Sequence, residues 1–271
     1  MPTTRITFHE LPSEVRARIE QIVGSVDAAK SADEGLNSAV AARLETARGN
    51  WFIKALPAGH RWVWTQQREA AIGPHLPGVA PEVVDRIVID DWDVVVFKAF
   101  DGSHADYTPG SPDLPLVVAL LERIAATPCP PGDVELRDAA QRLQGYIADP
   151  TDLRYFGGEA LLHTDLNNAN VLVGSDQAVI VDWGWATRGA PWLDAAYWVV
   201  WLIAAGHDPD PAEQWAGKVS AWADAPPAGV TAFAEAQAAL WAEIGGATPD
   251  PWTARLVTAS ARWAQFRRNI A

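Results

Sequence analysis

Strand-forming and helix-forming segments are segregated along this chain, and that segregation constrains the fold more than any other feature. Short apolar runs gather in the first hundred residues. Residues 26–48 read as extended segments around a turn at Glu34-Gly35-Leu36-Asn37-Ser38, and runs at 51–56, 84–89 and 92–97 follow. Gly and Asn are the residues a tight turn needs. Leu11, Val15, Ile19 and Val23 recur at helical spacing with Gly24 as a stop, and WVWTQQREAAI forms a second helix before Gly73-Pro74. After Asp101-Gly102 the character changes. Helical patterns cover 115–126 and 134–148, one hairpin-like unit spans 160–163, 171–173 and 178–182, and from Pro191 onward only helices remain, parted by Pro and Gly breaks. Strand runs followed by helix runs predict an α+β fold in two lobes. The boundaries read as a small antiparallel-sheet lobe over 1–98 and a mainly helical lobe over 99–271, with a hinge at about 97–102. At 271 residues the chain is near the size where a single core stops growing.

Composition narrows the function classes. Apolar residues make up 49% and charged residues 20%, an ordinary globular balance that excludes a disordered chain. The one cysteine, Cys129, excludes an internal disulfide, and six scattered histidines without HExxH argue against a zinc enzyme. A net charge of -13 and a pI near 4.8 oppose binding to nucleic acid or to an anionic membrane. Residues 183–271 hold eight Asp/Glu against six Lys/Arg, so most of the excess lies earlier. The first twelve residues lack the apolar core of a signal peptide and no run of eighteen apolar residues occurs, so a soluble cytoplasmic protein is expected. Four lysines against seventeen arginines, with abundant Ala, suggest a GC-rich bacterial genome. Where lysine is this scarce, Lys54 inside an apolar strand needs an explanation. Ten of the fourteen tryptophans fall after residue 182.

The informative stretch is LLHTDLNNANVLVGSDQAVIVDWG, residues 161–184. It holds His163-x-Asp165-x-x-x-x-Asn170, a short hairpin, then Asp182-Trp183-Gly184. A carboxylate on a loop after an apolar strand can orient and deprotonate a hydroxyl. An Asn five residues on and a second Asp beyond a hairpin can reach one metal. Phosphoryl transfer needs those parts: a positioned nucleophile, and Mg²⁺ to neutralise phosphate oxygens. Asp and Asn are also common turn formers, and His163 could simply fill a core position. The context favours chemistry, because the motif lies between apolar strands and a strand lysine and a helix glutamate precede it in order.

This segment resembles the catalytic core of the aminoglycoside phosphotransferase-like family, which shares the fold of protein kinases. The likeness runs from about residue 25 to 194 and is strongest over 161–194. It implies Asp165 as the catalytic Asp, Asn170 and Asp182 as metal ligands, and His163 as the brace of the loop. Asp194 resembles a later family Asp that ties the loop down. Lys54 takes the place of the strand lysine that contacts the α- and β-phosphates, and Glu69 the helix residue that holds it. Gly35, Asn37 and Ser38 occupy the phosphate-covering turn, although no G-x-G-x-x-G is present. Phe97 and Ala99 fall at the hinge, where main-chain groups would pair with the purine. The sequence departs from the family at Thr164, Asn167 and Asn168, where Gly, His and Pro are common.

The resemblance implies an ATP- or GTP-dependent, Mg²⁺-using kinase of small hydroxylated molecules, acting as a monomer or homodimer. Its acceptor could be an antibiotic such as an aminoglycoside, which would make the protein a resistance enzyme. The alternative is another hydroxylated metabolite or a less cationic antibiotic, such as a macrolide or a nucleoside. Aminoglycoside ammonium groups want clustered carboxylates, whereas the region after residue 182 is only weakly acidic. Its tryptophans suggest a ring-stacking acceptor or a Trp-rich core. A protein kinase is disfavoured by the missing Gly-rich loop and Ala-Pro-Glu motif. A non-catalytic nucleotide-binding regulator is disfavoured by the intact Lys54, Asp165, Asn170 and Asp182.

Overall fold

The computed structural model describes residues 5–32, 38–130, 132 and 134–270; Gly35 and Asn37 lie outside the described residues. The chain forms two compact units, one of residues up to 101 with 181–184, the other of 102–180 with 185 onward.

The first unit is built on a five-stranded antiparallel sheet. Its strands are β1 (Val26–Ser31), β2 (Val40–Thr46), β3 (Gly49–Pro57), β4 (Val83–Ile89) and β5 (Trp92–Lys98), ordered β1-β2-β3-β5-β4. Side chains alternate across a strand, so Val40, Ala42, Leu44, Ile53, Ala55, Val94 and Val96 form one buried face. Helix α1 (Ser13–Val23) lays Val15, Ile19 and Val23 against it. The helix ends at Gly24, whose φ of 92° few other residues adopt and whose N–H closes on Glu20 O at 2.8 Å. Each buried aliphatic side chain contributes ~1.5–3 kcal/mol, so this face anchors the unit. Between β4 and β5, Asp90 and Asp91 both have positive φ, as a two-residue hairpin turn demands.

Alternation sends Lys54 to the opposite face of β3, between Ala41 and Val95 on the neighbouring strands. Helix α2 (Val63–Ile72) is fastened to the sheet by polar contacts. Gln66 Nε2 donates to the Asp93 carbonyl at 2.8 Å and to its carboxylate at 2.6 Å, and Arg86 pairs with the same buried carboxylate. Gln66 and Glu69 are three apart and share a helix face, so this anchor also aims Glu69.

The second unit is mainly helical, with two three-stranded sheets. Its elements are β6 (Ser103–His104), α3 (Leu114–Ala125), β7 (Arg137–Asp138), α4 (Ala139–Leu143), β8 (Ala160–Leu162), β9 (Val171–Val173), β10 (Ala178–Ile180), β11 (Thr187–Gly189), α5 (Leu193–Ala204), α6 (Pro209–Ala216), α7 (Pro227–Gly245) and α8 (Pro251–Ile270). The sheets are ordered β10-β9-β6 and β7-β11-β8. Two sequence expectations change here. The helix expected over 134–148 is a two-residue strand and a five-residue helix, because Arg137 and Asp138 pair in parallel with Thr187 and Arg188. The hairpin-like unit is split: β9 and β10 pair, whereas β8 pairs with β11.

Around α5, which is buried on nearly all sides, aromatic rings make the core. Phe233 contacts Trp192, Tyr197 and Trp263 edge-to-face, with centroids 4.8–6.0 Å apart. Trp183, Trp192, Trp198, Trp201 and Trp263 are all buried, so packing accounts for half of the ten tryptophans. Among the described residues no helix is long and apolar enough to cross a membrane.

Candidate active site

In the first unit Lys54, Glu69 and Asp182 meet. Lys54 Nζ donates to both Glu69 carboxylate oxygens at 2.9 and 2.8 Å and forms an ion pair with Asp182. Lys54 and Glu69 are almost wholly covered, while the Asp182 side chain is half exposed. The main-chain N–H of Asp182 also donates to Glu69 Oε1 at 3.1 Å. Burial opposes the charge of Lys54, but Asp182 and Glu69 outweigh it and hold the ammonium well above its ordinary pKa. Glu69 is also raised, by burial foremost and by the Asp182 charge, against the pull of Lys54. One cation with two carboxylates leaves a surplus negative charge, and both shifts run toward holding protons.

Residues 182–184 are held on α2 by three contacts. Beside the Glu69–Asp182 bond, Arg68 Nη1 donates to Gly184 O at 3.2 Å. A Cβ on Gly184 would stand 2.6 Å from Thr65 Cβ, so only glycine admits the helix this closely. Asp182 has φ of 69°, a left-handed backbone that Asp tolerates better than most residues.

The second unit carries Asp165 on the loop after β8. Its Oδ2 accepts from Asn170 Nδ2 at 2.9 Å and its Oδ1 from the Asn167 N–H at 3.4 Å. The Asp165 N–H donates to His163 Nδ1 at 3.3 Å. Asp194, at the start of α5, is 2% exposed and accepts two successive main-chain donors, His163 N–H on Oδ2 and Thr164 N–H on Oδ1, each at 2.8 Å. Burial pushes its pKa up, and those donors, His163 and Arg142 oppose the rise. Where the family commonly has His and Pro, Asn167 caps a 3-10 turn by accepting from Ala169 N–H, and Asn168 donates to Ala105 O.

Thr164 has φ of 69°. For a β-branched residue this costs on the order of 1–2 kcal/mol, and glycine is the usual choice. Its hydroxyl accepts from Arg142 Nη1 at 2.6 Å. Sequence reading missed Arg142, which lies 22 residues upstream with no spacing that marks it.

The remaining candidates lie elsewhere. Ser38 is half-buried just before β2. Phe97 is buried within β5, its ring centroid 5.7 Å from Lys54 Nζ. Ala99 commits its N–H to Asn50 O at 3.1 Å, so only its carbonyl is left to offer a base.

The donor chemistry suits Mg²⁺. Asn170 in the second unit uses its side-chain nitrogen toward Asp165, which turns the amide oxygen to other use, and in the first unit the half-exposed Asp182 carries carboxylate oxygens. Mg²⁺ takes hard oxygen ligands, usually one or two from protein with phosphates and water completing the shell. Among the described residues no three His, Cys, Asp or Glu converge as a protein-only cage.

Comparison with known proteins bears on the family and the fold. The phosphotransferase enzyme family profile matches residues 104–252. No curated protein matches the chain in sequence. Among solved structures, a thermostable mutant of aminoglycoside phosphotransferase APH(4)-Ia in ternary complex with AMP-PNP and hygromycin B superposes with a TM-score of 0.60 at 16% identity, covering 96% of this chain and 99% of that one. The choline kinase LicA from Streptococcus pneumoniae gives 0.60 at 11% identity over 94% and 100%. Spectinomycin phosphotransferase APH(9)-Ia, bound to ADP and spectinomycin, gives 0.55 at 11% identity over 93% of each chain. These likenesses show a shared kinase-like α+β fold, and the family profile spans more than half of the sequence. The chain therefore belongs to the phosphotransferase enzyme family.

Proposed function

We propose that the protein transfers the γ-phosphate of a purine nucleoside triphosphate, with ATP first in line, to a hydroxyl of a small molecule, and that Asp165 is the general base. The observation that carries this reading is the Asp165–Asn170 pair, a carboxylate and an amide 2.9 Å apart on a loop clamped to the buried Asp194. Asp165 would accept the acceptor's hydrogen bond and take its proton as that oxygen bonds to the γ-phosphorus. The bond from the γ-phosphorus to the β,γ-bridging oxygen breaks, and the nucleoside diphosphate leaves. Lys54, aimed by Glu69, would exchange Asp182 for the α- and β-phosphates when nucleotide enters. Asn170 and Asp182 would hold Mg²⁺, which when bound neutralises charge on the phosphate oxygens. His163 and Asp194 would keep the loop in shape, and Ser38 with Gly35 and Asn37 would cover the phosphates. The Ala99 carbonyl would meet the base, since the main chain at Phe97 is paired within the sheet, opposite Phe52 of β3.

ATP is favoured over GTP because relatives of the same fold are seen with AMP-PNP and ADP. Aminoglycosides, spectinomycin and choline define the range of acceptors to try first. A nucleoside triphosphate donor places the reaction in the cytoplasm of its source, which we take to be bacterial.

The test is a panel of hydroxylated antibiotics and metabolites incubated with Mg-ATP or Mg-GTP and read by mass spectrometry for one added phosphate. Nucleotide should also raise the melting temperature, since a ligand at 100 times its Kd stabilises by ~2.7 kcal/mol. No shift with either nucleotide at millimolar concentration would remove the reading.

A further inference from the structure

We infer that Arg142 is a positioning residue of the catalytic loop: it secures the left-handed turn at Thr164, and through it the carboxylate of Asp165, in a chain that lacks the glycine this turn calls for. The inference rests on Asp165 being the base. Thr164 immediately precedes Asp165 and lies two residues beyond the end of β8, so its φ of 69° sets the direction in which Asp165 leaves the strand. Asp194 holds the Thr164 backbone through the N–H. Arg142 holds the side chain. Its Nη1 donates to Thr164 Oγ1 at 2.6 Å, to Thr187 Oγ1 at 2.5 Å and to Trp185 O at 3.0 Å.

These partners are rigid. Thr187 is fully buried on β11, directly opposite Leu162 of β8, and its hydroxyl donates to Trp185 O at 2.8 Å. The guanidinium lies 5.7 Å from the Trp185 ring centroid. Arg142 thus joins the first turn of the loop to the sheet that β8 belongs to. Its charge is also the weakest of several influences that oppose the burial raising Asp194. Glycine would not need the side-chain grip, because it adopts this backbone without strain.

The experiment compares Arg142→Met in two backgrounds, the parent and Thr164→Gly, using Mg-ATP and an acceptor from the panel. In the parent, kcat should fall ~10- to 100-fold, the scale of an ångström of misplacement, with the nucleotide KM held within about twofold. In the Thr164→Gly background the same substitution should cost several-fold less, since the turn no longer needs a clamp. Deuterium exchange of the 161–170 peptide is read in parallel and should quicken in Arg142→Met but much less in the double variant. Arg142→Gln, a shorter donor, carries the same expectation if the Met variant does not fold. Unchanged kcat, or equal losses in both backgrounds, overturns the proposal. If the parent protein neither binds nucleotide nor transfers phosphate, the functional reading fails, while the exchange data still decide whether Arg142 holds the loop.

Discussion

Asp165 and Asp182 carry the same functional group into different surroundings, and the difference predicts different losses. Asp165 is held by neutral donors, Asn170 and the Asn167 N–H, so among the described residues no cation in hydrogen-bond contact balances its charge. Asp182 is paired to Lys54. Asp165→Asn keeps size and most hydrogen bonding, so nucleotide affinity should change little while the transfer rate falls by ~10²–10⁴, the usual worth of a positioned base. Asp182→Asn should weaken nucleotide binding, Mg²⁺ dependence and rate together, because it removes a proposed metal ligand and leaves Lys54 to Glu69 alone. Steady-state kinetics with a magnesium titration separates the two patterns. Loss of nucleotide binding in Asp165→Asn with its retention in Asp182→Asn would exchange the assignments.

At the scale of elements, helix α2 is the device that joins the sheet lysine to the 182–184 segment. It is pinned at Gln66 to Asp93, at Glu69 to Lys54 and the Asp182 N–H, and at Thr65 against Gly184. Gly184→Ala should therefore act on the helix. Its Cβ would fall 2.6 Å from Thr65 Cβ and 3.2 Å from that residue's main-chain O, which a side-chain rotation cannot relieve. Overpacking of this kind costs ~1–3 kcal/mol, and the retreat of α2 should loosen Glu69 from Asp182 and weaken nucleotide binding. Thr65→Gly in the same chain should recover part of the affinity. Wild-type melting and affinity in Gly184→Ala would show that α2 is not so held. Lys54 and Glu69 were legible beforehand because a lone lysine in an apolar strand and a glutamate on the next helix have a recognisable order. The five strands of the first unit were legible as short extended runs parted by turn residues. Two short strands were not: β7 and β11 have no period to read, and their pairing is what shortens α4. Arg142, like the Gln66–Asp93 anchor, acts through contacts distant in sequence, which leave no local trace. The amide of Ala99 was likewise committed to Asn50 by a register that only the folded sheet reveals.

At the scale of the whole molecule, all four tyrosines lie in the second unit, so phenol ionisation reports on that unit alone. Two of them should resist ionisation. Burial holds Tyr107 well above its usual pKa, with the Asp165 charge adding to it, and its hydroxyl has no protein partner. Tyr197 is pushed up to about 12, by burial first and by Asp194 and Asp165, against the opposing charge of Arg142. The unfolded chain releases these protons near pH 10. Above that pH the unfolded state binds fewer protons than the folded one, so stability falls as pH rises. The contribution is fully present below about pH 10 and declines by ~1.4 kcal/mol per pH unit for each tyrosine until the folded pKa is reached. An alkaline titration followed by phenolate absorbance and circular dichroism should show Tyr107 and Tyr197 ionising only as helical signal is lost. Four tyrosines titrating reversibly with the helical signal intact would mean that the ring-lined core around α5 is open to hydroxide, and the packing described for it would be wrong.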